Sequence, residues 1–199
     1  MINFFYNYAN DIYDAAHSVD RDAVYSLYNE IVVNIVAGTP IYTFGNGGSA
    51  AIAEHLTCDF NKGIYTDVKF KMHFRCLSSN IPTITAIAND IGYDEVFSKQ
   101  LEYYHDSERI TGLAIAISSS GNSPNIVKGL ETARKLGIKT AALVGFDGGI
   151  VAKYHLADIL IHASSNNYGI TEDVHMMIAH SIAQNFRRTY CLSGTTPKL

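Results

Sequence analysis

Four side chains on two segments have the types and spacing to move a proton. His55 and Asp59 stand four residues apart, on one face if their segment is a helix. Glu172 and His180 occupy a second segment with Asp173 and His175. Carbonyl migration along a carbon chain needs such groups: a base to take a proton from one carbon and return it to the next, and a polariser for the oxygen. His17, His73, His105, His155 and His162 have no comparable partners and read as ordinary surface or core histidines.

Two loops have a different chemistry. Gly45-Asn46-Gly47-Gly48-Ser49 offers backbone that can approach a ligand closely, with N–H groups turned outward near a helix start and the Ser49 hydroxyl beside them. Ser118-Ser119-Ser120-Gly121-Asn122-Ser123-Pro124 places four hydroxyls just ahead of a second helix. Neutral donors at a helix N-terminus hold an oxyanion without Lys or Arg. Neither loop has the GxGxxG or Walker A pattern, so no nucleotide cofactor is expected.

The elements that must position these groups follow from periodicity. Residues 1–37 read as helical, with Ser18 or Asp20 capping a second helix that carries Val24, Leu27, Tyr28, Ile31, Val32 and Ile35 on one stripe and stops at Gly38. Ile41–Phe44 is a short strand into the glycine loop, followed by a helix to about Phe60; Val68–Leu77 reads as another strand. Leu113–Ile117 is a continuous apolar run of the kind buried on both faces of a parallel sheet. A helix with Ile126, Val127, Leu130, Ala133 and Leu136 at helical spacing follows, stopped by Gly137. Lys139–Val144 and Ile159–Ile161 are further strands, Gly148-Gly149 a turn, 171–188 the closing helix and 193–199 a frayed tail. Strands alternating with helices give an α/β fold, a doubly wound parallel five-stranded sheet flanked by helices with a helical N-terminal arm. We read residues 1–199 as a single domain: arm 1–38, core 39–190, tail 191–199.

Composition narrows the partners. The 199 residues are 47% apolar and 17% charged with net charge −4, so the chain is globular and has no basic field to recommend nucleic acid or an anionic membrane. Cys58, Cys76 and Cys191 are odd in number and contain no CxxC pair, which fits a reducing compartment and argues against a disulfide framework. The N-terminus lacks a signal-peptide pattern and no run of 18 apolar residues occurs, so a cytoplasmic location is expected.

Four blocks, GNGGSAAIAEHLTCDF (45–60), AIANDIGYDEVF (86–97), SSSGNSPNIVKGLETARKLGIKTAALVGFDGG (118–149) and EDVHMMIAH (172–180), resemble the sugar isomerase (SIS) domain family, and within it the enzymes acting on seven-carbon sugar phosphates. The resemblance runs colinearly over about 41–188. It implies an aldose–ketose isomerase on a flavodoxin-like sheet, a homotetramer with active sites shared between subunits, and a phosphorylated sugar as substrate for surface polysaccharide. Phosphate would be held by Ser118, Ser119, Ser120 and Ser123, with Asn46, Gly47, Ser49, Asn89, Asp90 and Glu172 on the substrate. Asp59 and His180 take the positions of base and acid. His55, Asp59, Glu172 and His180 together take those of a zinc site found in some members, a set of two histidines and two carboxylates.

Asp59 stands where the family usually has Glu, and Glu172 where it usually has Gln, so the resemblance leaves room for an isomerase or epimerase of another phosphosugar. It also leaves a non-catalytic tetrameric adaptor that binds the replication initiator. One geometric condition applies to the zinc set. Glu172 and His180 are about 12 Å apart along a helix, so both reach one ion only if their side chains lean together or the helix starts after 172.

Overall fold

The computed structural model of the chain describes residues 1–105 and 112–191. Its centre is a five-stranded, all-parallel sheet in the order β2-β1-β3-β4-β5, from β1 (Ile41–Gly45), β2 (Phe74–Cys76), β3 (Leu113–Ser118), β4 (Lys139–Val144) and β5 (Ile159–His162). This is the flavodoxin-like doubly wound order, in which strand direction of winding reverses between β1 and β3. The expected fold class holds.

Alternation along the strands builds two cores. Leu113, Ile115 and Ile117 of β3 face one cluster while Ala114 and Ala116 face the other, and Leu143 and Val144 of β4 divide in the same way. The first cluster packs beneath α1 (Ile2–His17), α2 (Arg21–Ala37), α3 (Gly48–Cys58) and the long closing helix. The second lies beneath α5 (Ile81–Asp90), α6 (Ser98–Tyr104) and α7 (Pro124–Lys135).

The N-terminal arm joins the first cluster. Asp20, not Ser18, caps α2 by accepting from the Asp22 amide, and Leu27, Ile31 and Ile35 are buried against the sheet. The α1 helix lies on the closing helix, where the Tyr8 hydroxyl donates to Asp173 at 2.8 Å. That bond pushes the Tyr8 pKa up to about 12.

Two local expectations are corrected. Val68–Leu77 is not one strand: after α3 the chain continues through a π-helical turn, Asp59–Ile64, and α4 (Tyr65–Val68), and only Phe74–Cys76 pairs with β1. Phe60, Ile64 and Val68 recur every four residues and are all buried, so core packing keeps this stretch helical despite Gly63. The closing helix is longer than 171–188. After the short α8 (Gly149–Lys153) comes α9 (Tyr168–Tyr190), capped by the Asn167 side chain on the Ile170 amide, which puts Glu172 inside the helix. The expected frayed tail, 193–199, lies outside the described residues. None of the described helices is long and apolar enough to cross a membrane.

Candidate active site

The two oxyanion loops lie side by side because β1 and β3 are neighbours and both loops leave at their carboxyl ends, the crevice where winding reverses. Gly47, with φ +53°, turns the first loop into α3. Ser123 precedes α7, and Pro124 takes the helix's first position, where its missing N–H costs nothing. Between them is a cavity of about 120 Å³ lined by Asn46, Ser49, Ser118, Ser119, Ser120 and Ser123, with Tyr168 and Glu172 of α9 closing one side.

The cavity walls carry serine hydroxyls that can donate to an oxyanion, with the Glu172 carboxylate at one side. Ser49, Ser118 and Ser119 are buried, and the Ser119 hydroxyl is buried without any partner. Ser123 makes no side-chain cap bond to α7, which leaves its hydroxyl for a ligand. A buried unpaired hydroxyl costs about 1–3 kcal/mol, a burden that an incoming ligand oxygen lifts. Ser119→Ala is therefore expected to raise Tm of the ligand-free protein by about 2–4 °C per kcal/mol regained. The same variant should bind phosphate more weakly. Calorimetric melting with and without phosphate checks both; a lower Tm alone would make Ser119 a packing residue.

The residues expected to move protons lie further along α3 and α9. Gly48 at the start of α3 is in contact with the Glu172 carboxylate near the start of α9. Two turns later His55 of α3 meets His180 of α9, so the helices run parallel. His55 Nε2 and His180 Nε2 are 2.9 Å apart, and Asp59 Oδ2 is 3.6 Å from His55 Nε2. Asp59 is the first residue of the π-helical turn, a rare distortion that recurs at functional sites. The side chains of His55 and Asp59 are 46% and 30% exposed, so the cluster opens to solvent.

The donor set suits a metal. His55, Asp59 and His180 present one ligand atom each within 4.8 Å of one another. Tetrahedral zinc with bonds of about 2.0–2.1 Å holds its ligand atoms about 3.3 Å apart, and the observed 2.9 and 3.6 Å separations bracket that edge. Three protein ligands leave a fourth position open. Glu172 is not among them. Eight residues before His180 on one continuous helix, it faces the serine cavity instead.

Asn89 and Asp90 end α5 and are exposed, bonded to each other at 2.8 Å, and do not line the serine cavity. His175 is fully buried, bonded to the Val144 carbonyl, and burial pushes its pKa down to about 4, which makes it a neutral core residue at physiological pH. Sequence reasoning missed Tyr168, Asn125 and Tyr93. The Tyr93 hydroxyl and the Asn125 amide both bond Asn46. Only Asn125 had a signal, its place two residues after the last serine of the loop. A larger cavity, about 340 Å³, lies at the opposite ends of the strands with His73, Arg75 and His105. Among the described residues no carboxylate lines it, and it is remote from the crevice where sheets of this kind bind ligands.

Comparison with known proteins gives a consistent result. The SIS domain model matches residues 4–145. The phosphoheptose isomerase of Chlorobaculum parvum is 38% identical over 167 residues, 83% of this chain and 78% of that protein. That of Paramagnetospirillum magneticum is 36% identical over 162 residues, 81% of each. Among solved structures, a phosphoheptose isomerase from Francisella tularensis superposes with a TM-score of 0.83, covering 94% of this chain and 95% of that one at 23% identity, a likeness of fold.

Proposed function

From the chain's membership of the SIS domain family, and within it of the phosphoheptose isomerases, we propose that it converts sedoheptulose 7-phosphate to D-glycero-D-manno-heptose 7-phosphate in the cytoplasm, for surface polysaccharide, with residues 1–199 acting as one SIS domain. The observation that carries this is the pairing, along two parallel helices, of a serine-lined cavity at one end with a His–Asp–His cluster two turns away. A spacing of about 10–12 Å along the helices suits a substrate with phosphate at one end and its carbonyl at the other.

In this reading the serine loop and the N-termini of α3 and α7 hold the phosphate. The Asp59 carboxylate takes the proton from C1 of the ketose and returns it to C2. His180 moves the hydroxyl proton from O1 to O2, so that the carbonyl passes from C2 to C1 and no atom is gained or lost. His55, against both, keeps the pair oriented. A zinc ion held by His55, Asp59 and His180 would supply a Lewis acid that draws charge from the substrate's oxygens. Glu172 contributes to the substrate cavity.

A coupled assay of the purified protein against five- to seven-carbon ketose phosphates tests the reading. Turnover is expected to be highest with sedoheptulose 7-phosphate. Preference for a shorter ketose would favour the second reading, an isomerase of another phosphosugar, which the Asp59 and Glu172 side chains motivate. Absence of turnover on every sugar would favour the adaptor.

We also propose a homotetramer. Ile2, Phe4, Phe5 and Tyr6 of α1 and Val33 and Val36 of α2 are large apolar side chains exposed in one copy, surface that neighbouring copies would cover. Light scattering is expected to give about 87 kDa, four times 21.8 kDa. A monodisperse monomer at micromolar concentration would exclude it.

A further inference from the structure

Asn46 and Asn125 form a closed pair across the two oxyanion loops. Asn46 Nδ2 donates to Asn125 Oδ1 at 2.9 Å, and Asn125 Nδ2 donates back to Asn46 Oδ1 at 2.9 Å. The Tyr93 hydroxyl donates to the same Asn46 Oδ1, also at 2.9 Å. A carboxamide has two N–H donors and two acceptor lone pairs. Both lone pairs of Asn46 are thus taken and one of its N–H groups is used. What it has left is a single N–H, on a residue that lines the serine cavity.

The lining of that cavity says which part of a ligand this N–H meets: the hydroxyls of Ser118, Ser119, Ser120 and Ser123 stand between a strand end and the N-terminus of α7, the setting that takes an oxyanion. Asn125 itself is only 2% exposed and its neighbours in sequence are Pro124 and Ile126, so it is fixed by packing and cannot follow a moving Asn46.

We infer that Asn125 and Tyr93 are positioning residues that hold Asn46 as a donor-only group on the phosphate in the serine cavity. This deepens the proposed function and rests on its reading of the cavity as the phosphate site. With its carbonyl already taken by two donors, Asn46 turns only an N–H toward the cavity, so a phosphate oxygen at this point of the wall finds a fixed donor. The asparagine pair also ties the loop after β1 to the helix after β3, so that one anion is gripped from both sides of the winding reversal.

A double-mutant cycle with inorganic phosphate as the probe tests this, read by titration calorimetry and independent of which sugar is turned over. Asn46→Ala is expected to weaken phosphate binding about tenfold, the scale of one hydrogen bond to a charged group. Asn125→Leu, close in size, is expected to do the same. Added to Asn46→Ala it should cost nothing more, because it acts through Asn46. Tyr93→Phe removes one exposed hydroxyl and is safe for folding; about a three- to fivefold loss is expected, vanishing in the Asn46→Ala background. Additive losses, or phosphate binding indifferent to Asn46, overturn the inference. Loss of the cycle's coupling with isomerase activity intact would sink the inference alone. Coupling intact with no sugar phosphate turned over would sink the isomerase reading and leave the inference standing.

Discussion

Asp59→Asn and His180→Ala are each expected to lower kcat by at least about 10²–10⁴-fold, the usual contribution of a positioned acid or base, while leaving the protein folded. The two effects separate because the groups are placed for chemistry and contribute little to packing. His180 touches the structure chiefly through His55 Nε2 at 2.9 Å, and Asp59 through His55 at 3.6 Å. An exposed pair of that kind is worth about 0–1 kcal/mol to stability. Melting temperatures should therefore move little. Metal content gives a second readout: His180→Ala removes a ligand and a proton carrier together, so both zinc and turnover should go. Glu172→Gln should leave zinc in place, because Glu172 faces the serine cavity and is not grouped with the three ligand atoms. Wild-type turnover in both Asp59→Asn and His180→Ala would refute the mechanism.

The longer acid at the same position tests how closely the pocket is set. A crevice of about 30 Å³ beside Asp59, lined by Gly63, Ile64, Ala183, Gln184 and Arg187, has room for one more methylene. Asp59→Glu should consequently fold normally. Its carboxylate would move by about 1 Å, and a displacement of that size can cost about 100-fold in rate. A variant as active as the parent, or more so, would mean that the short side chain is not what the reacting carbon requires.

What the sequence made legible was local. The apolar run of β3, the glycine and serine loops and the helical arm are each encoded within ten or so neighbouring residues, and each stands where periodicity and turn chemistry put it. The strand expected over 68–77 shortens to Phe74–Cys76 because Val68 completes a buried helical stripe with Phe60 and Ile64, and Lys69 then leaves the helix at φ 60°. The meeting of His55 with His180, 125 residues away in the chain, depends on α3 and α9 lying parallel, which no single segment states. Glu172 stands in both sets that the resemblance implies, the substrate contacts and the zinc ligands; the unbroken helix from Tyr168 to Tyr190 keeps it eight residues before His180, where it lines the serine cavity. Tyr93 was invisible as a site residue because it bonds another side chain, Asn46, and Asn125 had only its place after the serine loop to mark it.

Gly121→Ala is expected to damage fold and function together, with a loss of about 2–4 kcal/mol in stability and a fall of about 100-fold in kcat/KM. Gly121 lies in the middle of the serine loop at φ +62°, where an L side chain costs about 1–2 kcal/mol by itself. Space is the larger obstacle. A Cβ there would lie 2.2 Å from the Gly148 carbonyl oxygen and 2.8 Å from its carbon, backbone atoms with no rotamer to escape into. The contact is close because the two turns are bonded back to back: the Gly121 carbonyl accepts the Val151 amide, and the Gly121 amide donates to Ser118. Relief of the clash must then push Ser119 and Ser120 toward the cavity or lift the Gly148 turn off the sheet. Either movement misplaces hydroxyls whose use depends on standing opposite Ser49 and Asn46. Gly38→Ala is the control, since Gly38 has a similar φ of +68° but nothing within 4 Å of its added Cβ. It should cost only the backbone strain and leave KM for the phosphorylated substrate unchanged. If Gly121→Ala matched Gly38→Ala in both melting temperature and KM, the serine loop would not owe its shape to the Gly148 turn, and the anion cavity would have to be held open by the β1 and β3 ends alone.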